Sequence, residues 1–157
     1  MVTRLLFNEV IKDVLGNLYD TASLETHPAL FSVIKLPQGF TGNKGEYIRQ
    51  LVLDAIEQLR PTRKDLALTS PEWRPYIILT KRYVECVGVQ ELSDELAISP
   101  RQMRRDHHRA LVALCEILWT SCYPNEEPEQ GAEQTLFLKY TTRCLTRLRP
   151  LKGFLHY

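Results

Sequence analysis

The chain of 157 residues has no run of about 18 apolar residues, so no segment is expected to cross a bilayer as a helix. It also lacks an excess of either charge. Twenty Lys and Arg stand against 19 Asp and Glu, a net charge of +1. That balance excludes a protein that coats nucleic acid through overall basicity, and any polyanion binding has to come from a local patch. The four cysteines, Cys86, Cys115, Cys122 and Cys144, form no CxxC pair and have no histidine at zinc-ligand spacing. They read as reduced, structural thiols of a cytoplasmic protein. The segment MVTRLLFNEVIKDVL carries charges at helical spacing and no small-residue cleavage site, unlike a secretory leader. Catalytic signatures are missing too: no nucleophile elbow, no HExxH, no dinucleotide fingerprint and no carboxylate pair that spacing brings together. The expectation is therefore no enzyme, no metal and no cofactor.

What is present is enough to build a core: 44% of residues are hydrophobic and 25% charged. Over residues 3–19, Leu6, Val10, Val14 and Leu18 recur at helical spacing with Phe7, Ile11 and Leu15 beside them, a broad apolar stripe. Asp20 is placed to cap a short helical piece, and His27-Pro28 to start another carrying Leu30, Phe31, Val33 and Ile34. His27 reads as a surface or capping histidine rather than a ligand. The stretch LPQGFTGNKG is rich in glycine but lacks P-loop spacing and the Lys-Ser/Thr ending, so it reads as a connector. A helix is expected over residues 46–60, closed by Pro61. A loop with Arg60, Arg63 and Lys64 follows, either a solvated turn or a phosphate contact.

Residues 84–114 hold the most informative pattern. Val89, Leu92 and Leu96 share one face of a short helix, with Glu91, Asp94 and Glu95 opposite. Ser99 is a good N-cap and Pro100 suits the first position of a second helix. At 100° per residue, that helix puts Met103, His107, Ala110, Leu111, Leu114 and Leu118 on one side. Arg101, Arg104, Arg105, His108 and Arg109 lie on the other, with Gln102 at its edge. The arrangement is a helix-turn-helix, whose second helix is expected to enter the major groove of double-stranded DNA. Adjacent His107 and His108 diverge by 100° and do not converge on one metal. His107 reads as a core histidine bonded to backbone or to a carboxylate.

Around this pattern, residues 73–119 resemble the fourth region of bacterial sigma factors and related regulators. The matching residues are Arg82-Tyr83-Val84-Glu85, Glu91-Leu92, Glu95-Leu96, Ile98-Ser99, Met103 and Arg109-Ala110-Leu111. Two residues depart from that family. Cys86 replaces a small residue, and Ala97 replaces the glycine of the turn, which implies a turn that avoids a strongly left-handed backbone. Nothing before Trp73 resembles the promoter-melting sigma region, which points to a regulator rather than a complete sigma factor. By the resemblance, Arg101, Gln102, Arg104 and Arg105 fall where bases are read. Arginine matches guanine O6 and N7, and glutamine matches adenine. Ser99, His108, Arg109, Lys81 and Arg82 are the expected phosphate contacts.

Beyond Arg109 the second helix is apolar all round, so either the N-terminal helices or a second subunit must cover it. A homodimer presenting two half-sites is one expectation. The acidic stretch NEEPEQGAEQ reads as a linker, and residues 134–149 as a tail helix. The expected architecture is all-α, a multi-helix domain with a central helix-turn-helix and a long C-terminal recognition and packing helix. It divides into a helical region at 1–69, the helix-turn-helix domain at 70–123, and linker plus tail at 124–157. The expected function is sequence-specific DNA binding that regulates bacterial transcription. The alternative is a module that binds RNA polymerase, a sigma factor or a signalling partner without reading DNA. The two differ in whether Glu91, Asp94 or Glu95 neutralises Arg101, Arg104 and Arg105.

Overall fold

The computed structural model describes residues 2–63 and 65–124, and all regular structure among them is helical. Lys64, the acidic linker and the tail helix expected over 134–149 lie outside the described residues.

The first helix, α1 (Arg4–Gly16), starts where the Thr3 hydroxyl accepts a hydrogen bond from the Leu6 amide. It buries Phe7, Val10, Ile11, Val14 and Leu15. Leu6, expected within the stripe, is 42% exposed, because the Phe7 side faces the neighbouring helix and turns Leu6 outward. Asp20 caps α2 (Thr21–Thr26) by accepting from the Ser23 amide at 3.0 Å. His27 is a local tether: its Nδ1 accepts from the Ala29 amide, and its Nε2 lies 3.5 Å from the Asp13 carboxylate. The single turn α3 (Leu30–Val33) follows. Next, α4 (Lys44–Gln58) begins two residues before the expected Glu46, because Asn43 Oδ1 takes the Glu46 amide at 2.7 Å and caps the helix. Part of the glycine-rich connector is therefore helical, and Gly45 is buried within it.

These helices share one core with the end of the longest helix among the described residues, α7 (Pro100–Cys122). Phe7 meets Trp119 edge to face at 5.1 Å, and Trp119 lies 4.5 Å from Tyr123. The Arg4 guanidinium sits over the Trp119 ring and pairs with Glu116. Tyr123 donates to the Val33 carbonyl. Of the two ways to cover the apolar half of α7, the N-terminal helices supply one within this chain. Cys86, Cys115 and Cys122 form no disulfide among the described residues. Burial pushes Cys115 up to about 12 and Cys122 up to about 11, which keeps both protonated and unreactive at neutral pH.

The connection to the helix-turn-helix begins at Ser70, whose hydroxyl caps a 3-10 turn (Pro71–Trp73). Next come α5 (Arg74–Leu79) and a π-helical turn (Thr80–Val84), closed by the Glu85 amide donating to the Thr80 carbonyl. Then α6 (Val89–Glu95) ends in a Schellman turn: the Ala97 amide donates to Asp94 and the Ile98 amide to Ser93. That turn requires a left-handed residue after the cap, and Ala97 adopts it with φ +51. The expectation that alanine here would avoid a left-handed turn is corrected: the two carbonyls at the end of α6 need these amides more than the methyl needs room. Cys86 holds the same conformation, φ +59, after the π-helical turn. A side chain at such a position costs roughly 1 kcal/mol relative to glycine. Ala97→Gly is therefore expected to stabilise the protein by about 1 kcal/mol, read as a higher urea midpoint at unchanged m-value. An unchanged or lower midpoint would show that the left-handed alanine carries no strain.

Candidate nucleic-acid interface

A second, smaller core sets the angle between α6 and α7. Ile78 from α5, Leu92 from α6 and Met103 from α7 are almost completely buried against one another, with Val87, Leu96 and Ile98 around them. Each comes from a different element, so the triad locks all three together. The start of α7 is built by Ser99, whose hydroxyl accepts from the Gln102 amide at 3.1 Å, and by Pro100 in the first turn. Capping uses the acceptor side of the Ser99 hydroxyl and leaves its hydrogen for another acceptor.

From this start the arginines emerge into solvent. Arg101, Arg104, Arg105, His108 and Arg109 are all exposed, whereas Met103, Ala110, Leu111 and Leu114 are buried behind them. Arg101, Arg104 and Arg105 have no carboxylate within ion-pair distance among the described residues. The acidic face of α6 does not neutralise them. Lys81 binds Glu95 at 2.8 Å, and Gln90 donates to Asp94 at 3.1 Å. Arg109 reaches only to 3.8 Å from Asp106. The first turn of α7 contains no acidic residue.

This placement opposes ordinary helix electrostatics. The amino end of a helix carries partial positive charge, and a cation there costs about 0.3–1 kcal/mol. Arg101 with Arg105, and Arg105 with Arg109, are like charges four residues apart, each pair unfavourable by roughly 0.2–0.5 kcal/mol. An anion laid along the face would relieve all of these at once.

The remaining expected site residues divide by what holds them. Gln102 is half-buried, and its side-chain amide donates to Asp106 Oδ1 at 2.7 Å. Asp106, one of two buried polar residues among those described, also accepts from Arg74 Nη1 at 3.2 Å, tying α5 to α7. Lys81 is shared between Glu95 and Glu85, and the Glu95 carboxylate holds its ammonium above the ordinary lysine value. Arg82 donates to the Val87 carbonyl at 3.3 Å and closes the loop before α6. Lys81 and Arg82 thus brace the helix-turn-helix from behind, a role that sequence spacing did not reveal. Arg60 and Arg63 pair with Glu57 and Asp65. Sequence reasoning also missed Asp106 and Arg74, because their meeting depends on how α5 crosses α7.

His107 lies on the buried side of α7, as its spacing implied, but its partner is the Tyr83 hydroxyl at 2.8 Å rather than backbone or a carboxylate, because the π-helical turn brings Tyr83 against α7. Burial, aided by Arg82 and His108, lowers its pKa below the ordinary histidine value. A histidine held neutral in the fold gives stability that is fully present above its unfolded pKa and is lost as pH falls below it. Stability is expected to fall from about pH 6.5 downward. His107→Gln should flatten that decline, checked by urea midpoints at several pH values. A decline of equal steepness in the variant would place its origin elsewhere.

No family model, curated protein or solved structure matches this chain.

Proposed function

We propose that the protein binds double-stranded DNA by laying the amino-terminal half of α7 in the major groove, and that it acts as a bacterial transcription regulator. The observation that carries this reading is that Arg101, Arg104 and Arg105 lie on one exposed face at the start of a capped helix with no ion-pair partner among the described residues. The acidic α6 leaves these three guanidiniums unneutralised among the described residues, so they are available to an anionic partner. A phosphate-lined groove with guanine edges suits them, since arginine serves both as phosphate partner and as bidentate reader of O6 and N7. The likeness to sigma region four gives the same docking mode. In this reading Ser99, His108 and Arg109 contact phosphates and the arginines of the first two turns read bases. Lys81 and Arg82 act indirectly, by holding α6.

The test is selection from a random duplex library by the full chain across a salt series. Enrichment of a defined site, with affinity falling steeply as salt rises, supports the proposal. Salt-sensitive binding without enrichment reduces the face to a general anchor. Absence of binding at low salt refutes the proposal and moves the interaction module to first place.

A further inference from the structure

The Gln102–Asp106–Arg74 network bears on how a sequence would be chosen. An ionised carboxylate only accepts hydrogen bonds, so Asp106 determines which end of the Gln102 amide faces it: the nitrogen, at 2.7 Å. The Asp106 carboxylate is itself fixed, being 8% exposed and held through its other oxygen by Arg74. Gln102 keeps one N–H and its carbonyl oxygen, and neither has a partner among the described residues. Those are the two groups a bidentate contact with adenine N7 and N6 requires. A free glutamine would sample both amide orientations and several rotamers, and ordering it on DNA would cost part of the contact.

Resting on the DNA-binding reading above, we propose that Asp106 is a positioning residue that presents Gln102, in one amide orientation, to an adenine at the edge of the site read by α7. Asp106 touches no base. It acts through Gln102, and Arg74 acts through Asp106. The flanking arginines then select guanine, while this edge of the helix selects an A·T pair in one orientation.

Library selection with the full-length wild type, Gln102→Ala, Asp106→Asn and Asp106→Ala tests this, with thermal melts recorded for each. Asp106→Asn keeps size and a carbonyl for Arg74, but its NH2 then faces Gln102 and donates, which favours the opposite orientation of the Gln102 amide. Gln102→Ala and Asp106→Asn are expected to lose about tenfold of the preference at the same A·T position. Affinity of Asp106→Asn for a random-sequence duplex should hold or rise, because a negative charge leaves the neighbourhood of the phosphates. A purely structural role predicts the reverse, a uniform loss on all duplexes with no change in preference, and that result overturns the proposal. So does an unchanged preference in either Gln102→Ala or Asp106→Asn. Asp106→Ala leaves Arg74 without its partner. If that variant unfolds, the Asn variant still decides. Wild-type binding without site preference overturns this inference and leaves the basic anchor standing, whereas no wild-type binding at low salt fails the underlying reading itself.

Discussion

Replacing Arg101 and Arg105 together by alanine is expected to weaken binding to the preferred duplex by at least about 30-fold, two contacts at roughly 1–3 kcal/mol each. The folded protein should melt at the same temperature or slightly higher. Both side chains are exposed, neither is ion-paired among the described residues, and both sit near the positive end of α7. Their removal relieves repulsion between them and with Arg109. This opposition of effects distinguishes the variant from a misfolded one. The salt dependence adds a second readout. If the two arginines contact phosphates, the slope of log affinity against log salt shrinks by nearly two, and site preference survives. If they read bases, the slope holds and enrichment of the site collapses. Isothermal titration or anisotropy over a salt series measures both. Unchanged affinity would remove Arg101 and Arg105 from the interface.

The second large effect lies far from this face. Gly45→Ala is expected to destabilise the protein by about 3 kcal/mol, at the upper end of ordinary overpacking. A methyl group built on Gly45 would press on the Thr21 carbonyl oxygen inside van der Waals contact and would sit 2.9 Å from the Thr21 carbonyl carbon. Backbone atoms at the start of α2 have no rotamer by which to yield, so α2 and α4 must move apart. In an ordinary helix the same change would gain about 1 kcal/mol, since alanine is the better helix former. The sign therefore reports the close approach of the two helices. Gly16, which has open space around its Cα, serves as the control: Gly16→Ala should not destabilise. Urea unfolding of both variants is the measurement. A neutral Gly45→Ala would mean that α2 does not pack as closely as described.

Periodicity alone places the helices that carry a strong pattern. The stripe of α1, the Asp20 cap, the Leu92 side of α6, and the division of α7 into a buried Met103 side and an exposed arginine side all follow from residue spacing and capping chemistry. Local rules suffice there, because a 3.6-residue repeat and an N-cap are encoded within a few neighbours. The exposure of Arg101, Arg104 and Arg105 belongs to the same class. Where side chains from distant segments meet, spacing says nothing. It left Leu6 in the core stripe, although Phe7 and Trp119 pack in a way that turns Leu6 outward. It set Lys81 and Arg82 among the phosphate contacts without showing that Glu95, Glu85 and the Val87 carbonyl hold them. Ala97 shows the limit most clearly. Residue preference opposes a left-handed alanine, yet the bonds from the Ala97 and Ile98 amides to the Asp94 and Ser93 carbonyls at the end of α6 impose it. The sequence by itself determined the helical class of the described residues and a basic face on a capped helix. Only the tertiary structure decided which cations stay unpaired, which glycine must remain one, and which carboxylate holds Gln102, because each depends on atoms brought together from separate helices.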